Sequence, residues 1–172
     1  MHSPSQLAPL GCKESSTQVA LFAWCAMAAR FGLTAANDDL SYTVPGYAAN
    51  ELGLHNDAVP ELSRLFAIKN EEKGGRIRGA LAKAAGVKPG VPDLMLPVPK
   101  WKHIDDGKTM RNIVIAMGLF IELKREKPKG IVSELQVEWH GYLHEVGYRC
   151  EVCYNWRQAR DVLLSYLGRD NG

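Results

Sequence analysis

Three charged residues stand inside apolar segments of this sequence, where a charge needs a functional or structural reason. Glu122 and Lys124 are two residues apart in the run GLFIELKREK, and a β-strand points residues at this spacing to the same face. Asp93 lies in a second apolar run, PDLMLPV, which also predicts a strand. If the two strands pair, two carboxylates and one ammonium group meet at one place.

These three groups are suited to a hard divalent cation beside a phosphate. Carboxylate oxygens bind Mg²⁺, and a bound cation neutralises phosphoryl charge and lowers the pKa of bound water. An ammonium group nearby can orient that water or stabilise the charge that develops during the reaction. The spacing therefore indicates a metal site that acts on a phosphate ester.

Two strands must position these groups. The central strand is predicted at 118–125, and Asp93 lies on another strand predicted at 91–98. The residues that alternate with the charged positions are apolar and form the buried face of the central strand: Leu119, Ile121 and Leu123.

A helix is predicted after the central strand. Ser133 is a good N-cap, and Gln136 three residues later completes a capping box. The helix ends at Gly147, and apolar residues at helical spacing predict its buried stripe: Leu135, Trp139, Leu143 and Val146. Because Gln136 follows shortly after the central strand, its amide is available to the site as well as to the cap.

The other segments predict a mixture of helices, strands and loops. Helical periodicity predicts a helix at 14–31, with Glu14 in the first turn, where the helix dipole favours a carboxylate. Glu14 is therefore either a helix-capping charge alone or also a metal ligand. The remaining assignments are a loose start at 1–13, a loop at 32–59, a strand at about 65–69, a helix at 71–86, a polar connection at 99–117, a strand at 148–155 and a helix at 156–167.

The bulk composition is that of one soluble domain. The chain has 172 residues, of which 46% are hydrophobic and 23% charged, and this is enough apolar material for a real core. The net charge is only +2, although basic residues cluster. Such clusters are either a nucleic-acid surface or an ordinary solvated surface: 69–78, 83–88, 100–108 and 124–129.

The cysteines and histidines match no common metal site. Cys150 and Cys153 form a lone CxxC, and their spacing places them on opposite faces of a predicted strand, whereas a zinc knuckle needs a second pair. His140 and His144 share a helix face, which is either a zinc site completed by a cysteine or a plain edge facing solvent or DNA. A turn explains the remaining polar group best: His103, Asp105 and Asp106.

The compartment is predicted as intracellular. No signal peptide precedes the cysteines, and the apolar run at 19–29 is too short to span a bilayer. The four cysteines are therefore expected to be free thiols in a reducing cytoplasm: Cys12, Cys25, Cys150 and Cys153.

Taken together, these segments resemble the VRR-NUC (virus-type replication-repair nuclease) domain of the PD-(D/E)xK nuclease superfamily. The resemblance covers most of residues 60–167. It rests on four stretches: GVKPGVPDLMLPV at 86–98, GLFIELKREK at 118–127, SELQVEWHGYLHEVGYRCEVC at 133–153 and NWRQARDVLLSYL at 155–167. It implies an α/β fold with a restriction-endonuclease-like core, a small mixed sheet flanked by helices, and Mg²⁺- or Mn²⁺-dependent cleavage of DNA.

The resemblance also implies roles for individual residues. Asp93 and Glu122 are expected to bind the metal, with the backbone carbonyl of Leu123 as a further ligand. Lys124 is expected to be the catalytic lysine, and Gln136 matches the glutamine that lies near the site. Two further expectations complete the site: Glu14 matches the acidic residue of the first helix loosely, and DNA contacts are expected from Asn70, Arg76, Lys88, Arg125 and Ser133.

Two departures from the family pattern concern substrate choice. Related chains often have I-P-N-G after the first strand, whereas this chain has Ile68-Lys69-Asn70-Glu71. The segments at 32–59 and 99–117 are long for a stand-alone member, so they are expected to affect substrate choice or dimer contacts.

The resemblance implies branched or duplex DNA as the partner, with Holliday junctions as one candidate, and homodimerisation. It implies a role in phage or host replication, recombination or repair, in the host cytoplasm if the chain is phage-encoded. The alternatives are a module that binds DNA structures without cutting them, or an accessory subunit of a replication-repair complex.

Overall fold

The computed structural model describes residues 2–9, 13–43, 57–69, 76–105, 107 and 109–169, although not the side chains of residues 40 and 76–79. Along the chain, the elements are α1 (Pro4–Leu7), α2 (Glu14–Phe31), α3 (Leu33–Asn37), α4 (Leu40–Thr43), a 3₁₀ helix (Pro60–Arg64), β1 (Phe66–Ala67), α5 (Arg76–Ala84), β2 (Leu94–Leu96), β3 (Lys100–Asp105), β4 (Met110–Ala116), β5 (Leu119–Leu123), α6 (Glu134–Glu145), β6 (Arg149–Cys153) and α7 (Trp156–Leu167). In the described part of the chain, no helix is both long and apolar enough to cross a membrane.

The chain forms two compact units, and the first consists of residues 1–65, 123–130 and 153–172. Its centre is α2, which packs against α1, α3, the 3₁₀ helix and α7. The inner face of α2 carries Leu21 and Trp24, both fully buried, and the indole N–H of Trp24 donates to Asn37 Oδ1 at 3.0 Å. From α7, Leu163 and Leu164 complete this core.

The second unit consists of residues 66–122 and 131–152 and contains nearly all of a four-stranded sheet of order β1-β2-β5-β6. β2 is antiparallel to both β1 and β5. β6 runs parallel to β5, because Met117 N–H donates to Gly147 C=O and Arg149 N–H donates to Gly118 C=O. A parallel pair needs a crossover connection, which α6 provides. The predicted fold class, an α/β protein with a small mixed sheet flanked by helices, is confirmed.

The strongly periodic segments match their predictions, and the strands are shorter than predicted. The helices at 14–31 and 156–167 begin and end where expected. The strand predicted at 91–98 is only Leu94–Leu96, because it is followed by Pro97 and Pro99, which have no N–H to donate to a neighbour. All five residues of β5 are buried.

Three segments predicted as irregular contain regular structure. The start of the chain includes α1, the segment at 32–59 includes α3 and α4, and the connection at 99–117 is the hairpin β3–β4. The turn predicted near Asp105 joins these two strands: Gly107 has a φ of +75° and its N–H donates to the Asp105 carboxylate at 2.9 Å. Asp106, which was also assigned to this turn, lies outside the described residues.

The buried stripe predicted for α6 is confirmed at Leu143 and wrong at Leu135 and Val146. Leu143 is buried, but Leu135 is 49% exposed and Val146 is 44% exposed, while Trp139 is half-buried. Leu135 and Trp139 line an open groove along residues 88–89, and Val146 is the C-cap residue at the end of the helix.

Candidate active site

The pairing of β2 with β5 brings Asp93 and Glu122 to the same end of one ladder. Leu94 lies opposite Ile121 in the last pair of this antiparallel ladder. Asp93, in a bend just before β2, and Glu122 are the next residues on the two sides of that pair. The backbone of Asp93 is also held from β1's side, because Ile68 N–H donates to its carbonyl at 2.7 Å.

Glu122 is a buried carboxylate that accepts a hydrogen bond from Gln136. Only 1% of Glu122 is exposed, and Gln136 Nε2 donates to its Oε1 at 2.5 Å. The other end of the same amide is also used, since Gln136 Oε1 accepts from the backbone N–H of Ser133 at 2.9 Å. The amide therefore has a fixed orientation, with its donor end directed at the carboxylate.

The first turn of α6 is held in place by its cap and by a close contact with the Asp93 loop. Ser133 Oγ accepts from Gln136 N–H at 3.3 Å, which completes the predicted capping box. Gly90, three residues before Asp93, has a φ of +84°, and a Cβ built there would lie 2.8 Å from the backbone of Leu135. Only a glycine allows this approach, so the loop and the helix are fixed relative to each other.

Lys124 belongs to the first unit, in the segment that directly follows β5. Its backbone N–H donates to Cys153 C=O at 2.8 Å, and Gly130 N–H donates to Arg125 C=O at 2.8 Å. A Cβ on Gly130 would lie 3.2 Å from Lys124 Cβ, so the lysine stem passes directly over the glycine. Lys124 itself is half-buried.

Glu14 also contacts this segment. Its Oε1 accepts from the backbone N–H of Arg125 at 3.0 Å, so the carboxylate does more than cap α2. The structure thus brings Asp93, Glu122 and Gln136 together within the second unit, and Glu14 to the Lys124–Arg125 segment within the first. Metal binding by Glu14 and by the Leu123 carbonyl stays a prediction.

The residues predicted to contact DNA differ in what the structure says of them. Lys88 and Arg125 are exposed, as a phosphate contact requires. The hydroxyl of Ser133, which is also exposed, is the acceptor of the α6 cap. Asn70 lies outside the described residues, and Arg76 begins α5 but its side chain is not described.

The oxygen ligands present fit magnesium or manganese rather than zinc. No group of three or more His, Cys, Asp or Glu side chains that could hold a metal occurs among the described residues. Mg²⁺ does not need one, since it is usually bound through one or two carboxylates, waters and substrate phosphates. Asp93 and Glu122 supply hard oxygen atoms of this kind, whereas His140 and His144 form no zinc cluster within the described residues.

The cysteines whose surroundings are described are free thiols, as predicted: Cys25, Cys150 and Cys153. Burial raises the pKa of the Cys25 thiol far above its usual range. Burial, followed by the negative charge of Glu151, raises the pKa of Cys150 to about 11. The predicted free thiol of Cys12 lies outside the described residues.

Sequence reasoning missed one feature near this site. Trp139 and Tyr142 line an open groove beside α6, whereas helical spacing had assigned Trp139 to the core. The signal available in the sequence was the turn before Asp93, because Gly90 allows a backbone to lie directly against a helix.

The small mixed sheet and its helices define an α/β protein, and a comparison with solved structures agrees with this fold. A solved structure described as a VRR_NUC domain protein is similar to this chain with a TM-score of 0.57 and 18% sequence identity, over 92% of this chain and 90% of that one, which is a likeness of fold. No curated protein is significantly similar in sequence. The VRR-NUC domain matches residues 49–156, well over half of the chain. The chain belongs to the VRR-NUC family, whose members are generally nucleases.

Proposed function

We propose that this chain is a Mg²⁺- or Mn²⁺-dependent endonuclease that hydrolyses phosphodiester bonds in DNA. The observation that carries the proposal is the position of Asp93 and Glu122 beside the last β2–β5 pair, with the Gln136 amide on the buried carboxylate of Glu122. A carboxylate that is 1% exposed is costly to keep ionised without compensating positive charge or hydrogen bonds. Here the amide provides one such bond, and a divalent cation would provide the charge.

In the proposed mechanism, Asp93 and Glu122 hold the cation, and the Leu123 carbonyl and Glu14 are candidate further ligands. When bound, the cation supplies charge neutralisation and acidifies water. Gln136 orients the Glu122 carboxylate through its hydrogen bond. Lys124, two positions after Glu122 in the chain, positions the attacking water and assists its deprotonation.

The bond changes follow the general chemistry of the superfamily. The water oxygen attacks phosphorus in line and loses its proton to solvent, and the bond from phosphorus to the 3′ oxygen breaks as that oxygen takes up a proton from solvent water. The products are a 5′-phosphate and a 3′-hydroxyl. Replacing Lys124 by Ala should lower the cleavage rate by about 10²–10⁴-fold while DNA binding is retained.

A gel assay tests the proposal against the alternative of a module that binds DNA without cutting. Plasmid and branched DNA are incubated with Mg²⁺, Mn²⁺ or EDTA. Cleavage that needs the metal and is abolished by Asp93→Asn supports the enzyme, with Asp161→Asn on the exposed side of α7 as the matched control. A mobility shift without cutting under every condition would support the binding module.

Calorimetry gives an independent measure of the ligand role. Asp93→Asn should weaken Mn²⁺ binding to the protein without DNA, because it removes one carboxylate from the pair. Unchanged affinity in this variant would contradict the assignment, whatever the cleavage assay shows.

Branched DNA, including Holliday junctions, is the substrate class we propose, in phage or host replication, recombination or repair. A homodimer is part of this proposal. The apolar surface of the β3–β4 hairpin supports it, since Trp101 and Ile115 are each 50% exposed and Met110 is 81% exposed, and such surfaces mark interaction sites. Sedimentation of the wild-type chain and of Met110→Lys tests the dimer.

A further inference from the structure

An open groove runs along one side of α6 in the second unit. Its volume is about 410 Å³, within the range of about 300–1,000 Å³ that is usual for small-ligand sites. Its lining combines aromatic rings, one cation and one carboxylate: Lys88, Pro89, Leu135, Glu138, Trp139 and Tyr142.

The aromatic part of the groove is fixed before any ligand arrives. Trp139 Nε1 donates to the Pro89 carbonyl at 3.0 Å, which sets the orientation of the indole. Tyr142 packs edge-to-face on this ring, with centroids 5.9 Å apart and planes at 84°. Tyr142 is nevertheless 55% exposed, so a flat ligand can reach the aromatic pair. Stacking on fixed aromatic side chains is how proteins bind bases of single-stranded nucleic acid.

The charged residues that line the groove match the phosphate and the base of a nucleotide. Lys88 is exposed and suits a phosphate, whereas Glu138 repels phosphate and can accept a hydrogen bond from the amino group of a base. A purely apolar peptide would use neither charge. The groove therefore fits an unpaired nucleotide, with its phosphate at Lys88 and its base against the rings.

The position of the groove connects it to the carboxylate pair. Gln136 and Trp139 are three residues apart on α6, about 4.5 Å along the helix axis. The other wall, Lys88-Pro89, leads through Gly90 to Asp93. A DNA strand whose backbone reaches Asp93 and Glu122 thus passes beside the groove.

We propose that this groove binds an unpaired base of the DNA substrate, next to the phosphate at the carboxylate pair. The inference rests on the proposed function and narrows its substrate class to DNA in which a duplex adjoins a single-stranded segment.

Fluorescence anisotropy with EDTA, which prevents cleavage, tests the subsite. Three labelled DNAs are compared: a blunt duplex, the same duplex with a short unpaired tail, and that tail without its bases. The base-containing tail should raise the affinity of the wild-type protein, and the abasic tail should not. Tyr142→Ala should weaken binding of the tailed duplex by about 5–150-fold and leave binding of the blunt duplex unchanged.

Two control variants isolate the ring. Tyr142→Phe retains stacking and should bind as wild type. Val137→Ala removes an exposed apolar side chain from the same helix outside the groove and should also have no effect.

The inference is overturned if the two tails bind equally well, or if Tyr142→Ala weakens all three DNAs alike. It is also overturned if Tyr142→Ala converts a dimer into a monomer by sedimentation, because a second copy then covers the groove. Failure of the wild-type protein to bind any of the DNAs, both in EDTA and with Mg²⁺ present, would instead contradict the proposed function itself.

Discussion

At the scale of single residues, the side chain of Gln136 performs two tasks. Its oxygen accepts from Ser133 N–H in the helix cap, and its nitrogen donates to Glu122. The two tasks can be separated by mutation, because a glutamate at the same position still completes a capping box but places a second carboxylate against Glu122.

We expect Gln136→Glu to lower cleavage by about 10–100-fold, since a hydrogen bond to a charged group contributes about 1.5–3 kcal/mol. The cap is kept, but the free energy of unfolding should fall at neutral pH, because the new carboxylate repels the buried Glu122 carboxylate in the folded state only. The repulsion raises the pKa of one carboxyl of the pair. The deficit should therefore shrink as the pH falls through that raised pKa, where the protonated acid donates a hydrogen bond as the amide did.

The chain contains a matched control for this variant. Gln158 occupies the same position in the cap of α7, where its Oε1 accepts from Tyr154 N–H at 2.8 Å, and no hydrogen bond from its amide to a carboxylate is seen there among the described residues. Gln158→Glu should leave the cleavage rate unchanged at every pH. Equal losses in the two glutamate variants would show that the caps, and not the contact with Glu122, set the activity.

Cys150 should be an unreactive thiol. Its pKa of about 11, raised by burial and then by the Glu151 charge, leaves roughly two orders of magnitude less thiolate at pH 8 than an ordinary cysteine has. Alkylation by iodoacetamide, followed by peptide mass spectrometry, should be slow at pH 8 and accelerate towards pH 11. Glu151→Gln should accelerate it at pH 8. Fast alkylation of the folded protein at pH 8 would contradict the raised pKa.

At the scale of elements, the loop that carries Asp93 depends on one glycine. A side chain at Gly90 would meet the backbone of Leu135 at 2.8 Å and would also be strained by the φ of +84°. We expect Gly90→Ala to lower the free energy of unfolding by about 1–3 kcal/mol from overpacking, in addition to the backbone strain. The cleavage rate should fall by more than the loss of folded protein explains, because the displaced loop carries Asp93.

Gly86→Ala separates the effect of backbone strain from the effect of the close contact with Leu135. Gly86 has a similar φ of +87°, but a Cβ there would meet nothing within 4 Å, so only the backbone strain remains. Urea unfolding should therefore show a smaller loss of stability for Gly86→Ala than for Gly90→Ala. Equal losses would mean that the contact with α6 does not hold the loop.

Sequence periodicity correctly predicted the elements that are buried along one whole side. It failed where a segment contacts residues that are distant in the sequence. The helices at 14–31 and 156–167 each carry a continuous buried side, so their sequence pattern reports their structure. The hairpin β3–β4 was missed because its residues are mostly exposed and its polar side chains indicate a loop. Leu135 was assigned to the core because the sequence does not reveal that a loop 45 residues earlier in the chain lies against it.

The same limit applies to the candidate site. The alternation in GLFIELKREK correctly predicted Leu119 and Ile121 as buried, but the residues on the other face of β5, Phe120 and Glu122, are buried as well. The register with β2 depends on how two distant segments pair, which alternation alone does not determine. The contact between Gln136 and Glu122 depends on where α6 lies, so the sequence predicted the cap and an amide near the site but not the partner of that amide.

At the scale of the whole molecule, the net charge of +2 implies that DNA binding depends on a few local cations rather than on the overall field. Binding should weaken as salt rises, because each phosphate contact releases a counterion. Lys88→Gln and Arg125→Gln, measured separately, should each reduce the slope of log affinity against log salt by about one. Lys83→Gln, which removes an exposed lysine outside the predicted DNA contacts, should leave the slope unchanged. If all three substitutions reduce the slope equally, DNA binding is a property of the diffuse basic surface, and neither Lys88 nor Arg125 is a specific phosphate contact.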